Sequence, residues 1–207
     1  WRTAWLAPAH DPEMVAYAAK TERPIDVLFV GGYSRHHRQR AVILEAVSSL
    51  REGLNIVLCL DRSRLTRLAE SSIGYFLPVG SHRRPQNIRA VSHEPVFGRE
   101  LYAMISRAKI VVNGAVDMAG PDRGNMRCFE AMGCGALLVS DQGRYPEGMQ
   151  NEKTMLLYGG GGADAKEVIQ YALANPVALQ TIASQGQKMV SEHYSKTKQW
   201  ANFGGLV

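Results

Sequence analysis

The sequence predicts an α/β domain built on a doubly wound, mainly parallel β-sheet. Short apolar runs alternate with amphipathic stretches along most of the chain, as expected for strands that alternate with crossover helices. The first apolar run, residues 25–30, leads into Gly31 and Gly32, which is typical of a buried strand that leaves a sheet. Residues 136–140 form a similar run directly after a short helical stretch. Because crossovers between parallel strands are right-handed, this alternation favours a Rossmann-like sheet with helices on both faces.

Local patterns also predict where each element begins and ends. Residues 1–24 contain Pro8 and Pro12 and are predicted to be a linker, the domain proper covers residues 25–193, and residues 194–207 are predicted to be a polar tail. After the first strand, the predicted strands cover residues 55–60, 75–78, 109–113, 136–140 and 154–158. The predicted helices cover residues 38–50, 63–70, 98–108, 164–174 and 176–193, and one more carries Arg127 and Glu130. The stretch 80–95 is predicted to be irregular.

The composition favours one ordinary α/β core in a reducing compartment. The 207 residues are 45% hydrophobic and 21% charged, and no apolar run approaches the length that spans a bilayer. The N-terminus lacks a signal-peptide core followed by a cleavage site. Three cysteines lie within or beside apolar segments and none belongs to a C-x-x-C pair, which argues against a disulfide framework or a zinc site. We therefore expect a cytoplasmic protein.

The net charge of +5 and the pI near 9.2 come from clustered basic residues. The first group contains Arg35, His36, His37, Arg38 and Arg40, and the second contains Arg83, Arg84 and Arg89. Such clusters suit phosphate-bearing ligands, nucleic acid or an anionic membrane surface, and the alternative is a solvated basic face. A peripheral position at the inner face of the membrane is therefore a second expectation for where the protein acts.

Ligands of a doubly wound sheet bind outside the carboxyl ends of its strands. The residues just past the predicted strand ends are Gly31, Gly32, Ser34 and Arg35, then Asp61, Asn113, Asp141 and Gly159. Two glycines that lead to an arginine-rich helix start form a plausible phosphate cradle, with Arg35 or Arg38 as the phosphate ligand. Asp141 can instead be a helix cap or a turn residue.

A short helix carries Arg127 and Glu130 one turn apart, and Gly133 and Gly135 are expected to end it. The Glu130 carboxylate can accept the two hydrogen bonds that a ribose diol offers. Backbone N–H groups at the helix start, around Asn125 and Met126, suit a phosphate. An ordinary surface ion pair between Arg127 and Glu130 is the alternative, and the spacing alone does not decide between the two.

Two other classes of nucleotide-binding protein fit the sequence less well. A dinucleotide-dependent oxidoreductase needs G-x-G-x-x-G in the first turn and an acidic residue after the second strand. Asp61 meets the second demand, but the turn G-G-Y-S-R-H lacks the third glycine. A nucleic-acid binder requires aromatic residues among the basic clusters, and only Tyr33 qualifies, so no nucleic-acid partner is expected.

Three stretches and the closing H-Y run at residues 193–194 together resemble the C-terminal half of a GT-B glycosyltransferase of the CgeB-like, spore-maturation-protein branch. The three stretches are F-V-G-G-Y-S-R-H-H-R, V-F-G-R-E-L-Y-A-M-I-S-R-A-K-I-V-V-N and N-M-R-C-F-E-A-M-G-C-G-A-L-L-V-S-D. The resemblance covers nearly all of residues 25–194, and its most specific part is R-C-F-E-A-M-G-C-G followed by a strand. The stretch L-A-P-A-H-D-P-E looks like the interdomain crossing segment that precedes the donor domain in these enzymes, and the N-terminal acceptor domain is missing from the chain.

The resemblance implies a role for each candidate site residue. Glu130 would hold the donor ribose, and the diphosphate would lie against Gly31, Gly32, Ser34, Arg35, Arg38, Asn125, Met126 and Arg127. The backbone around Val96 and Phe97 would meet the base, and Arg127 would lie near the phosphates or brace Glu130. In the larger retaining branch a glutamate eight residues before the ribose ligand contacts the donor sugar. That position is Asp122 here, and Asn125 stands where that branch has a glycine.

The resemblance also implies an activity. The chain would be the donor domain of a metal-independent, hexosyltransferase-like enzyme whose donor is a nucleoside-diphosphate sugar and which uses no other cofactor. The acceptor would be a saccharide, a lipid-linked saccharide, a protein or a small molecule held by the N-terminal domain, and no catalytic residue is assigned in this half. We expect the isolated chain to bind the donor with little turnover. An NAD(P)-type oxidoreductase domain and a non-catalytic nucleotide- or polyanion-binding module remain the alternatives.

Overall fold

The computed structural model describes residues 6–33, 37–114 and 120–205. These residues form one six-stranded parallel sheet in the order β3-β2-β1-β4-β5-β6. The strands are β1 Ile25–Gly32, β2 Ile56–Asp61, β3 Ser92–His93, β4 Ala108–Val112, β5 Leu137–Asp141 and β6 Leu156–Tyr158. The α-helices are α1 Met14–Ala18, α2 Arg38–Ser48, α3 Arg64–Ala69, α4 Gln86–Ala90, α5 Gly98–Ser106, α6 Met126–Gly133, α7 Gly162–Ala174, α8 Pro176–His193 and α9 Lys196–Gly204. The predicted α/β Rossmann-like sheet is thus confirmed.

The strand order reverses at the centre of the sheet. The chain runs outward from β1 through β2 to β3, then returns to β4 on the other side of β1 and continues to β5 and β6. Gly32 lies opposite Asp61, and Asp141 lies opposite Tyr158, so the strands end at one common edge. Such a switch point leaves a crevice at the carboxyl edge of the sheet.

The sheet separates two apolar cores, one on each face. Adjacent strand residues point to opposite faces, so Leu28 and Val111 belong to one core while Val27 and Ile110 belong to the other. The first core is closed by residues of α1, α5, α6 and α8, including Phe129, Met132 and Val190. The second is closed mainly by α2, α4 and α7, including Leu44, Ile88 and Ile169. Burial on both faces explains the continuous apolar runs of the central strands.

The prediction of a strand at residues 75–78 is wrong. Its first two residues end a 3₁₀ helix, Ile73–Phe76, and the next two lie in the turn that follows. The third strand is instead Ser92–His93, inside the stretch predicted to be irregular. The 3₁₀ helix packs so closely on α3 that a side chain at Gly74 would overlap the Leu68 carbonyl oxygen. The stretch was predicted to be a short strand, but Phe76 is 90% exposed and takes no part in the sheet.

Both terminal segments pack against the domain. Within the predicted linker, α1 buries Met14 in the first core, and the His10 amide donates to the Tyr194 carbonyl at 2.6 Å. The predicted polar tail contains α9, whose first turn is capped by the Ser195 hydroxyl accepting from the Lys198 amide. The boundaries at residues 24 and 193 stay predictions. In the described part of the chain, no helix combines the length and apolarity needed to cross a membrane.

Candidate functional site

The residues predicted to follow the strand ends do lie at one edge of the sheet. Gly32 and Asp61 end adjacent strands, and Asn113, Asp141 and Gly159 end or follow β4, β5 and β6. Arg38 is the exposed first residue of α2, the helix that follows β1. Ser34 and Arg35 lie outside the described residues, so their predicted phosphate contacts stay predictions. The crevice therefore has α2 and α6 beginning at its rim.

The start of α6 is held by side chains from neighbouring strands. Asn125 precedes the helix in an extended conformation, and its side chain does not cap the helix. Instead its amide donates to Asn113 Oδ1 at 3.2 Å. The Asn113 amide donates in turn to Ser140 Oγ at 3.1 Å. These contacts tie the first turn of α6, where Met126 is 57% exposed, to β4 and β5.

Two tyrosines complete this buried network. The Tyr145 hydroxyl donates to Ser140 Oγ at 2.7 Å, and the Tyr158 hydroxyl donates to the Asn113 carbonyl at 2.8 Å. Burial raises the pKa of Tyr145 and of Tyr158 well above the ordinary tyrosine value, so both stay protonated donors. A satisfied buried network of this kind fixes the position of the groups it joins. The helix start is therefore a preorganised set of N–H donors at the crevice.

Arg127 and Glu130 form the ion pair that their spacing allowed. Arg127 Nη1 lies 2.7 Å from Glu130 Oε2, and the side chains are 20% and 13% exposed. Burial raises the pKa of Glu130, while the Arg127 charge opposes that shift. Arg127 Nε is buried without a hydrogen-bond partner among the described residues. Of the two positions expected for Arg127, the structure places it against Glu130, which it helps to keep ionised.

The predicted base-binding residues lie beyond the short strand β3. Val96 is partly buried against the first core, whereas the side chain of Phe97 is 70% exposed just before α5. Gly98 has a φ of +55°, a left-handed conformation that glycine adopts without strain, and it turns the chain into the helix. An ion pair between Arg62 and Glu94 joins the ends of β2 and β3 beside this turn. Phe97 thus presents an exposed aromatic side chain between β3 and α5, and its contact with a base stays a prediction.

Asp122, predicted to contact a donor sugar, is exposed and paired with Arg144 Nε at 2.6 Å. The hydrogen bond from Arg144 lowers the pKa of Asp122 below its ordinary value. The neighbouring Arg123 binds Asp141 Oδ2 at 2.6 Å, and these two side chains are each 12% exposed. Asp141 is therefore an ion-pair partner, and neither the cap nor the turn interpretation describes it fully.

Arg123 and the two network tyrosines were not among the predicted site residues, and Arg40 was assigned only to a basic cluster. Arg40 donates to the Gly114 carbonyl at 2.8 Å. Together with Arg123, Asp141 and Gly159 it lines a cavity of about 200 Å³ at the carboxyl edge. No periodic pattern marks these side chains, because their contacts join β4, β5 and α2 across the sheet. Among the described residues, no three His, Cys, Asp or Glu side chains cluster as metal ligands.

Comparison with solved structures places this fold among GT-B glycosyltransferases. The Anabaena protein HepE, crystallised with UDP and glucose, superposes with a TM-score of 0.66 at 14% identity, over 95% of this chain and 52% of HepE. Sucrose-phosphate synthase from Thermosynechococcus elongatus gives 0.62 at 19% identity, over 97% and 48%. The C-terminal domain of the group 1 glycosyl transferase LpcC from Francisella tularensis gives 0.58 at 14% identity, over 92% and 96%.

The chain spans about half the length of the first two of these proteins and nearly all of the isolated C-terminal domain. At these identities the likeness shows the fold. A search of the curated proteins finds no match. Residues 34–203, however, match the family described as Glycosyl transferase-like, and this stretch contains both helix starts of the crevice together with Arg127 and Glu130. The chain therefore belongs to the glycosyl transferase-like family.

Proposed function

We propose that this chain is the donor-binding half of a GT-B glycosyltransferase and that it holds a nucleoside-diphosphate sugar at the carboxyl edge of the sheet. The observation that carries the proposal is the start of α6, locked by the Asn125–Asn113–Ser140 hydrogen bonds and followed one turn later by a partly buried carboxylate, Glu130. The structural relative HepE was crystallised with UDP and with UDP-glucose. A uridine donor is therefore the first to test.

Each part of the donor has a matching part of the crevice. The diphosphate would lie at the starts of α2 and α6, where N–H groups and Arg38 offer donors, and Ser34 and Arg35 are proposed beside them. The ribose diol would donate two hydrogen bonds to the Glu130 carboxylate, which Arg127 holds in place. The base would stack on or pass beside Phe97 and Val96.

The chemistry that follows from this arrangement is stabilisation of the leaving group. When the bond from the sugar to the diphosphate breaks, negative charge grows on the diphosphate oxygens. Helix-start N–H groups and the proposed arginine ligands would stabilise that charge with little reorganisation. We propose that the enzyme works without a metal on this basis. The acceptor and the catalytic base would come from a second domain, whose closure over the crevice aligns the reacting atoms.

Several finer features of the proposal come from the sequence resemblance. They are the CgeB-like branch, transfer of a hexosyl group, the contact of Asp122 with the donor sugar, and weak turnover by this chain alone. Asp122 lies four residues before α6, so its carboxylate, which is paired with Arg144, is near that end of the crevice. The buried thiols of Cys59, Cys128 and Cys134 support a reducing, cytoplasmic location, with peripheral contact at the inner membrane face as the second possibility.

A ligand panel tests the proposal against its two alternatives. Calorimetry with UDP, GDP, NAD, inorganic pyrophosphate and short oligonucleotides should show saturable one-to-one binding of a nucleoside diphosphate, tighter than pyrophosphate. Preferred binding of NAD would favour an oxidoreductase domain. Oligonucleotide binding that falls steeply with salt, without mononucleotide binding, would favour a polyanion-binding surface. Either result would contradict the transferase proposal.

A further inference from the structure

A basic lobe connects β2 to the edge strand β3. We name residues 62–91 the β2–β3 lobe; it contains α3, the 3₁₀ helices Ile73–Phe76 and Gly80–His82, and α4. Six arginines and one glutamate give the lobe a net charge of +5, as large as that of the whole 207-residue chain. The remaining residues are neutral on balance, although they include the first basic group around Arg38. Within the lobe, Arg62 is paired with Glu94, and the other five arginines exceed the one carboxylate by four charges.

The same lobe exposes a patch of large apolar side chains. Ile73 is 67% exposed and Phe76 is 90% exposed. The other large apolar side chains exposed in the lobe are Leu65, Leu68, Tyr75 and Leu77. The close contact of Gly74 with the Leu68 carbonyl brings the 3₁₀ helix onto α3, so side chains from the two elements are neighbours. Contiguous exposed apolar surface on a folded protein marks a site of contact with a partner or a membrane.

The lobe has a rigid frame, so the exposure does not come from a loose loop. Arg84 binds both oxygens of Glu70 at 2.7 and 2.8 Å, and the two side chains are only 5% and 9% exposed. Arg83 donates to the carbonyls of Ala69 and Gly74, and its guanidinium lies 3.7 Å from the centre of the Tyr75 ring. These contacts bind the end of α3, the 3₁₀ helix and the start of α4 into one unit that holds the apolar patch outward.

Basic and apolar side chains alternate on the outer surface of this unit. Arg64 and Arg67 are exposed on α3 beside Leu65 and Leu68, while the lobe's one carboxylate, Glu70, is buried against Arg84. The matching partner is anionic and also accepts aliphatic side chains. An anionic lipid bilayer meets both demands, since its headgroups carry phosphate and its acyl boundary accepts apolar groups. Nucleic acid offers no place for Ile73 and the leucines, and a second copy of so basic a lobe would be repelled.

We propose that the β2–β3 lobe docks on an anionic lipid bilayer, with Ile73 and Phe76 entering the interface and Arg64 and Arg67 facing the headgroups. The lobe begins where β2 ends, at Asp61, on the same edge of the sheet as the candidate site. Docking would therefore bring the proposed donor crevice close to the membrane surface. Resting on the proposed function, this placement selects a lipid-linked saccharide from the acceptor classes considered above.

Vesicle flotation of the 207-residue chain tests the inference. The chain should float with phosphatidylcholine vesicles that contain phosphatidylglycerol, should not float with phosphatidylcholine alone, and should be released by salt. Arg64→Gln/Arg67→Gln should weaken binding by about 25-fold, because each arginine contributes about fivefold. Ile73→Ser/Phe76→Ser should weaken it by at least about tenfold, because both apolar side chains then lose their place in the interface.

Two control variants remove similar side chains from surfaces outside the β2–β3 lobe. Trp200→Ser/Phe203→Ser removes the exposed, stacked aromatic pair of α9, and Arg51→Gln/Arg107→Gln removes two exposed arginines beside the amino ends of β2 and β4. Both should bind vesicles as the unchanged chain does. No flotation of the unchanged chain, or an equal loss in the controls, would overturn the proposal. A concentration-dependent dimer abolished by Ile73→Ser/Phe76→Ser, without vesicle binding, would identify the patch as an interface between copies.

Calorimetry on the same variants separates this inference from the donor site. The lobe variants should bind UDP with the affinity of the unchanged chain. If vesicle binding fails while UDP binding persists, the docking proposal is wrong and the donor proposal stands. The converse result contradicts only the donor proposal.

Discussion

Replacing Glu130 by alanine tests the proposed ribose contact most selectively. The change removes the carboxylate that accepts from Arg127 at 2.7 Å, in a place where the two side chains are only 13% and 20% exposed. A hydrogen bond to a charged group contributes about 1.5–3 kcal/mol, so the affinity for UDP should fall roughly 10- to 150-fold. Leaving Arg127 without its partner should also lower the free energy of unfolding by about 1–3 kcal/mol.

Comparing UDP with pyrophosphate separates a ribose contact from a phosphate contact. Pyrophosphate has no ribose, so Glu130→Ala should leave its dissociation constant unchanged while weakening UDP. Glu192→Ala, which removes an exposed carboxylate of α8, is the matched control and should alter neither. Urea unfolding of each variant shows that it is folded at the temperature of the titration. An unchanged dissociation constant for UDP, or an equal loss for UDP and pyrophosphate, would refute the assignment of Glu130 to the ribose.

Four further predictions follow from other contacts. Asn113→Ala removes the link between Asn125 and Ser140, so calorimetry should show weaker binding of UDP and of pyrophosphate alike; a loss for UDP alone would contradict the positioning role. Burial raises the folded-state pKa of Glu130, so the protonated carboxyl group favours the folded state. This contribution to the free energy of unfolding is fully present below pH 4.5 and is lost as pH rises through the raised pKa. Urea unfolding at a series of pH values should show that loss, and Glu130→Gln should abolish the pH dependence. Gly133→Ala places a Cβ against Met14 and should lower the free energy of unfolding by about 1–3 kcal/mol, whereas Gly53→Ala, in open space, should change it little. The isolated chain should bind UDP-glucose yet hydrolyse or transfer it near background, since alignment by a second domain accounts for about 7–11 kcal/mol of barrier lowering; robust transfer would refute this.

The fold was largely predictable because its elements have strong local patterns. Apolar runs bounded by glycine predicted β1, β4 and β5. The long periodic stretch after Pro176 predicted α8, including its observed end at His193. Gly135 adopts the left-handed conformation expected after a helix, with a φ of +74°. Gly133 serves a different purpose, because it is the last residue of α6 and lets Met14 and His10 pack closely.

The elements that sequence analysis missed are those defined by tertiary contacts. Strand β3 has only two residues, and its place beside β2 depends on Val91 and Ser92 reaching the sheet after the β2–β3 lobe. The 75–78 run is rich in strand-forming residues, yet the lobe exposes it. Helix α9 has a sequence signal, the Ser195 cap, that a composition-based description as a polar tail overlooked.

The candidate site was also predictable only in part. Gly32, Asp61, Asn113 and Asp141 could be placed at one edge because strand ends in a parallel sheet meet there. The Arg123–Asp141 pair could not, since it requires the loop before α6 to fold back onto the end of β5. The hydrogen-bond network from Asn125 to Tyr145 could not be predicted either, because its members lie on four separate segments that only the complete fold brings together.

A crystal structure of the chain with UDP would show whether the donor binds at the carboxyl edge of the sheet with its ribose on Glu130. We expect the ribose hydroxyls to lie within hydrogen-bonding distance of the Glu130 carboxylate, with the diphosphate at the starts of α2 and α6 and the base beside Phe97. UDP bound on the β2–β3 lobe or at any other surface, with the Arg127–Glu130 pair out of contact with it, would contradict the proposed donor site.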